Sequence, residues 1–272
     1  MGKKKQSAAE RDVRLKAAAM REAQAKAERR TRNIIIAVVS VLILAIVAAI
    51  IYIIASRPGG AESADGVPAE FDAGQGISIS ENGIGASPGG GENDLDFYFD
   101  YTCGGCLMTD SAVGPYLFEA AQAGDFTFVM HPVLTSAGAY NTAATAAALA
   151  LAAEDPAHFQ AVHEAMIAFS LEAMVSGETD VLTDLEASKD AVAGIAAEQG
   201  VDEALIASFD TDAAQSYLQA SSTEWTTREI AGRENIASPE FLFRDTKIAA
   251  SGDDGAQMFD SLVAAMNQIR GE

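Results

Sequence analysis

Cysteine is nearly missing from this chain: Cys103 and Cys106 are the only two in 272 residues. So few thiols exclude a small scaffold stapled by several disulfides. With only three histidines in the chain, they also leave few candidates for the ligand set of a structural zinc ion. His158 and His163 are five apart, a spacing that does not share one helical face, so no metal pair is expected there. Basic residues are scarce beyond position 32, where seven Lys and Arg face thirty-five Asp and Glu. A surface of that sign repels phosphate backbones, which argues against nucleic acid as a ligand. No internal repeat recurs along the chain. What is present is apolar, at 49% of residues, and that content belongs to a folding protein rather than a disordered tail.

The charge is divided along the chain. Residues 1–32 carry eleven basic and four acidic side chains, against the net −21 of the whole. Between the two regions, residues 34–55 run for 22 positions without a charge. About 20 helical residues cross a bilayer core, whereas the apolar part of a secretory signal is only about 7 to 15 long. The run therefore predicts a retained transmembrane helix. Loops rich in Lys and Arg resist translocation, so residues 1–33 are expected in the cytoplasm and everything after 55 outside it. The basic tail reads as a charged helix, with Glu10 and Arg14, Asp12 and Lys16, and Glu22 and Lys26 spaced acid to base at i,i+4. It serves either as a contact for anionic lipid or as a topology signal alone. Residues 56–76, rich in Gly, Pro, Ala and acid without periodicity, read as a flexible tether.

The exported part alternates between two kinds of text. Residues 77–80, 95–102, 126–133 and 241–248 are short, aromatic and β-branched, several with period-two alternation, and read as strands. The Gly-rich patch at 87–91 reads as a turn between strands. Residues 141–232 are Ala-rich and broken at Asp155-Pro156, Gly200 and the acidic run at 210–212, which predicts several helices inserted into a small mixed sheet. At Asp155-Pro156, Asp is expected to cap and Pro to open a helix. Met258, Phe259, Leu262, Val263, Met266 and Ile269 fall on one face of a final helix. Trp225 is expected to pack between helices.

Both cysteines sit in one motif, "FDYTCGGC", directly after a strand and before a helical segment. Cys103 is thereby placed at a helix N-terminus, where free amides and the macrodipole favour thiolate over thiol. A disulfide closing so short a loop restrains little chain entropy, so it is a poor staple. The spacing points to a redox dithiol. Pro239 stands just before the last aromatic strand pair, where it withholds a ladder hydrogen bond in ordinary sheet geometry. Asp100, at the strand end, either relays protons to Cys106 or is a solvated acid. His131 is either a satisfied strand-end histidine or a substrate contact near the active face.

At these residues the chain resembles the DsbA family of thiol-disulfide oxidoreductases, in its membrane-anchored actinobacterial form. The resemblance rests on Asp100-Tyr101-Thr102-Cys103-Gly104-Gly105-Cys106, on the helical text of residues 147–167, on Gly200-Val201-Asp202, and on Ala237-Ser238-Pro239-Glu240-Phe241. It implies an α/β fold: a thioredoxin-like domain, residues 77–140 and 233–272, interrupted by an α-helical insertion, residues 141–232, and preceded by the single transmembrane helix. It also implies a cis bond at Ser238-Pro239 facing the dithiol. Cys103 is then the sulfur that attacks or is attacked, Cys106 the one that resolves the mixed disulfide, and Gly104, Gly105, Ser238, Pro239 and Asp100 the supporting residues. No metal or cofactor is implied. The expected partners are cysteine-containing exported proteins, the bilayer through one helix, and a membrane redox partner of the vitamin K epoxide reductase homologue type. Gly104 replaces the family's usual proline, and Gly105 offers no histidine, so Cys103 is expected to lean on backbone amides and the helix end and to be a milder oxidant than the strongest relatives. A membrane-tethered binding module with a static disulfide is the alternative that these glycines leave open.

Overall fold

In a computed structural model of the chain, residues 67–136 and 138–271 are described. The basic tail, the expected transmembrane run and most of the expected tether lie outside them. Among the described residues no helix is long and apolar enough to cross a membrane.

Among the described residues six strands form one sheet. They are β1 (Gly76–Ser80), β2 (Gly83–Ser87), β3 (Asp94–Phe99), β4 (Thr127–Pro132), β5 (Glu240–Phe243) and β6 (Thr246–Ile248), in the order β2-β1-β4-β3-β5-β6. Only β3 and β4 run parallel, and helix α1 (Gly104–Ala123) makes the crossover between them. The central strand β3 reads Asp-Leu-Asp-Phe-Tyr-Phe and is buried on both faces: Leu95, Phe97 and Phe99 point one way, Asp96 and Tyr98 the other. Strand β2 was not expected. Its text, Gly-Ile-Gly-Ala-Ser, has no aromatic residue and little β-branching, and only its pairing with β1 across a two-residue turn makes it a strand. The β5–β6 hairpin closes through Arg244 and Asp245, both at positive φ (49° and 56°), as a tight primed turn requires.

Six helices occupy the chain between β4 and β5: α2 (Ala139–Glu154), α3 (Pro156–Ser176), α4 (Asp180–Thr183), α5 (Leu185–Glu198), α6 (Glu203–Ile206) and α7 (Thr211–Thr227). The chain ends in α8 (Gly255–Arg270), which buries Leu262 and Met266 as its periodicity predicts. Twelve of the sixteen residues of α2 are buried, six of them alanine, so it is covered on all sides by neighbours that its small side chains allow to come close. Pro156 opens α3, but the Asp155 carboxylate bonds to His158 Nδ1 at 2.7 Å rather than to a helix amide, which corrects the expected cap.

One apolar core runs from the sheet into the insertion. Phe97 stacks on Phe99 at 5.1 Å and on Phe241 at 4.5 Å, while Phe118, Phe159, Val162 and Met166 continue the same cluster. Burying an aromatic side chain of this size stabilises by about 1.5–3 kcal/mol. The opposite face of the sheet carries a smaller cluster of Tyr98, Val133, Trp225 and Leu242. Trp225 therefore packs beneath the sheet, stacked on Tyr98 at 5.9 Å, and not between helices as expected. The stretch read as tether is also packed before β1 begins: Phe71 is fully buried, and the Tyr217 hydroxyl donates to the Gln75 carbonyl at 2.9 Å. Phe71 could be read as an isolated apolar residue in a Gly/Ala text, and only its neighbours in the fold give it a core position.

Candidate active site

Between the end of β3 and the start of α1 the chain must turn within four residues, and Asp100 organises that turn. Its carboxylate is fully buried. One oxygen accepts from the Thr102 amide at 2.7 Å and hydroxyl at 2.6 Å; the other accepts from the Thr135 amide and hydroxyl, both at 2.8 Å, and from the Ser136 amide at 3.2 Å. Asp100 is not the solvated acid of the sequence reading. Its oxygens accept from two loops and so fix the turn. The Cys103 amide then donates to the Asp100 carbonyl at 3.0 Å, and Cys103 becomes the N-cap residue of α1.

Cys103 is half-buried and Cys106, one turn into α1, is fully buried; both are free thiols. The Ser238 hydroxyl donates toward Cys103 Sγ at 3.6 Å, and the Ser238 carbonyl oxygen lies 3.9 Å from the same sulfur. The Ser238–Pro239 bond is cis. A Cβ added at Gly105 would lie 3.4 Å from Pro239 Cδ and 4.0 Å from Cys103 Sγ, so Pro239 faces the dithiol. A Cβ at Gly104 would meet the Met174 thioether at 3.7 Å. The structure thus brings Cys103, Gly104, Gly105, Cys106, Ser238 and Pro239 together, with Asp100 behind them.

The two thiols are pushed apart electrostatically. The Cys103 pKa is lowered from 9.0 to about 5, first by the hydrogen bond from the Cys106 side chain, against desolvation, and further by the Cys106 amide and the Ser238 hydroxyl; the Asp100 charge opposes. Cys106 is raised, first by that same hydrogen bond to Cys103 and then by burial. One sulfur is favoured as thiolate and the other is held as a thiol. Backbone amides and the helix end, which sequence reasoning named as the only support, are joined by two side-chain donors. Ser238 was visible as a neighbour of Pro239, but its hydroxyl contact across 135 residues was not.

Tyr101, two residues before Cys103, is fully buried and bonded at three points. Its amide donates to Asn141 Oδ1 at 3.0 Å, its carbonyl accepts from the Ser170 hydroxyl at 2.7 Å, and its phenol meets His163 Nδ1 at 2.9 Å. His163 Nε2 in turn meets Asp110 Oδ2 at 3.1 Å. Burial, followed by the Asp110 charge, pushes the Tyr101 phenol well above its ordinary value, so the phenol keeps its proton, and the imidazole bridges it to Asp110. Apart from Tyr101, none of these residues was a candidate site residue from the sequence, where His163 entered only in a dismissed metal pair and within the helical text of residues 147–167.

A second polar cluster lies under the sheet. His131 is fully buried there, with Nε2 2.9 Å from Asp96 Oδ1 and its ring stacked on Tyr98 at 4.4 Å. It neither ends at the active face nor reaches substrate, because its place in β4 points it to the opposite side. Glu240, the residue after Pro239, is 1% exposed and accepts from Trp225 Nε1 at 2.7 Å, from Lys247 Nζ at 3.1 Å and from the Arg233 guanidinium. Desolvation raises its carboxyl pKa, but the bonds from Arg233, Trp225 and Lys247 outweigh it and hold the group below its ordinary 4.5. Among the described residues no group of three His, Cys, Asp or Glu is placed to hold a metal ion.

No family model and no curated protein sequence matches the chain. Among solved structures it is similar to the MdbA protein, a thiol-disulfide oxidoreductase from Actinomyces oris, at 18% identity over 75% of this chain and 92% of that one, with a TM-score of 0.57. It is also similar to oxidised BdbD from Bacillus subtilis, at 17% identity over 78% of this chain and all of that one, with a TM-score of 0.51. The domain has the DsbA-like fold. In that DsbA-like frame the helical insertion separates β4 from β5, and the dithiol sits where the exit of β3 meets the Ser238–Pro239 turn.

Proposed function

We propose that this chain is a thiol–disulfide oxidoreductase that acts outside the cytoplasm on cysteines of exported proteins, anchored by residues 34–55. The observation that carries the reading is the asymmetry of the dithiol: Cys103 at the helix N-terminus with its pKa lowered, and Cys106 buried behind it with its pKa raised. A fixed disulfide would make no use of a sulfur whose neighbours stabilise it as thiolate, which favours exchange chemistry over a tethered binding module.

The exchange follows from the two sulfurs. The Cys103 thiolate attacks a client disulfide; a Cys103–client bond forms, the client S–S bond breaks, and the departing client sulfur takes up a proton. Cys106, on losing its proton, attacks Cys103 Sγ, closes the Cys103–Cys106 disulfide and expels the second client thiol. Two electrons have then passed from the pair to the client, with one proton supplied by Cys106 and the other by water. The reverse steps oxidise a client dithiol and leave the pair reduced, to be reoxidised by a membrane partner of the vitamin K epoxide reductase homologue type. Ser238 borders the sulfur at which the client must arrive, with Pro239 beside Gly105 and Met174 beside Gly104.

Turnover on a reduced, unfolded disulfide protein tests the reading. The wild type should restore activity to that protein catalytically in a glutathione buffer, and Cys103→Ala should not. Equal recovery with and without Cys103 would overturn it. For the anchor, protease added to intact spheroplasts should remove the domain after residue 55 and spare the basic tail, residues 1–32; protection of the domain would refute the orientation.

A further inference from the structure

We propose that the helical insertion positions the nucleophile by holding Tyr101 at three points, with His163 as the positioning residue that ties the turn before Cys103 to helix α1. The inference rests on the reading of Cys103 as the reacting sulfur.

Strand pairing of β3 ends at Phe99 opposite Pro132, so the amide and carbonyl of Tyr101 have no ladder partner. Buried backbone groups left unpaired are costly, and here side chains from the insertion supply both bonds: Asn141 on α2 and Ser170 on α3. Asn141 is itself fixed, because its Nδ2 donates to the Val133 carbonyl at 3.0 Å. His163 adds the third point and reaches across to Asp110 on α1, seven residues beyond Cys103. The residues before and after the nucleophile are therefore joined through one imidazole.

Packing alone does not explain this arrangement. Asn141, His163 and Ser170 are 0% exposed and Asp110 only 5%, and apolar residues would fill the same volume without the cost of desolvating a carboxylate. What the polar chain adds is direction. Hydrogen bonds fix the angle of the Tyr101–Cys103 turn against α1, and that angle sets how Cys103 Sγ faces Cys106 and Ser238. The carboxylate of Asp110 leans along α1 toward Gly114, so the chain holds the helix and does not reach the thiols.

The test uses the full chain with Tyr101→Phe, His163→Leu and His163→Gln. Thiolate absorbance against pH and the equilibrium constant with glutathione are the readouts. Tyr101→Phe removes one oxygen, and His163→Leu removes both ring contacts. Each should raise the Cys103 pKa and shift the glutathione equilibrium by about fivefold toward the oxidised pair, the size of one lost hydrogen-bond contribution. His163→Gln keeps a donor for Asp110 and an acceptor for Tyr101, and should return both readouts toward wild type. A purely structural role would lower the melting temperature and leave both readouts unchanged in the folded protein; that result in Tyr101→Phe would overturn the proposal. Failure of the wild type itself to exchange with glutathione would instead remove the oxidoreductase reading, while the thiolate titrations would still decide the positioning.

Discussion

The two faces of β3 are held together by different forces. On one, Leu95, Phe97 and Phe99 belong to the apolar core that continues into the helical insertion. On the other, Asp96 and Tyr98 lie among His131, Arg228, Trp225 and Glu240, nearly all buried and joined through specific hydrogen bonds and ion pairs. Apolar packing carries no titratable group, whereas a buried charge is stable only while its partner stands. The dithiol lies where both faces end, so it inherits a rigid floor from the first and a pinned Ser238–Pro239 turn from the second, through Glu240.

The largest effects should come from removing one pillar of each face. Glu240→Ala strands the Arg233 guanidinium and the Trp225 indole, and should cost about 3–5 kcal/mol in urea unfolding. Phe97→Ala, which opens a cavity in the aromatic stack, should cost a similar ~3–5 kcal/mol. The two are distinguished by pH. Because the folded Glu240 carboxyl is held below its ordinary 4.5, its stabilisation is complete above that value and is lost as pH falls below it. The advantage of wild type over Glu240→Ala should therefore shrink in acid, while its advantage over Phe97→Ala holds. Parallel curves for both variants would break the contrast between the faces.

A second set of effects lies at the sulfurs. Cys106→Ala deletes the strongest support of the Cys103 thiolate, so the Cys103 pKa should climb from about 5 toward 9.0 in an absorbance titration. The same variant should accumulate client proteins as mixed disulfides on non-reducing gels, and Cys103→Ala should accumulate none; the reverse pattern would refute the assignment of roles. Linkage gives a further check on the reduced protein. A thiol whose folded pKa is lowered stabilises the fold fully above its unfolded value and loses that contribution as pH falls through the folded one. The stability of reduced wild type relative to Cys103→Ala should thus decline between pH 9 and about 5.

The smallest effect concerns the glycine pair. Gly105→His introduces a donor beside Cys103 and should raise the reduction potential by about 30 mV, roughly 1.4 kcal/mol for two electrons. The added side chain starts 3.4 Å from Pro239 Cδ, so it has to lean away from that ring. An unchanged potential would mean that Cys106 and Ser238 already saturate the stabilisation of the sulfur.

The sequence alone carried what depends on neighbours along the chain. The strand runs were legible because side-chain direction alternates locally, the helical insertion because its breaks are marked by Pro, Gly and Asp, and the dithiol because its spacing is itself the motif. Strand β2 was not legible, since nothing in Gly-Ile-Gly-Ala-Ser favours an extended chain until β1 offers a partner. The burial of Asp100 and the place of Trp225 were misread for one reason: a polar or amphipathic side chain does not announce which face of an element will be covered. The hold on Tyr101 depends on bonds spanning 40, 62 and 69 residues, and no local pattern encodes such a separation. Only the closing of the insertion over the sheet made those side chains partners, because a buried amide, carbonyl or phenol must be satisfied by whatever the fold brings within reach.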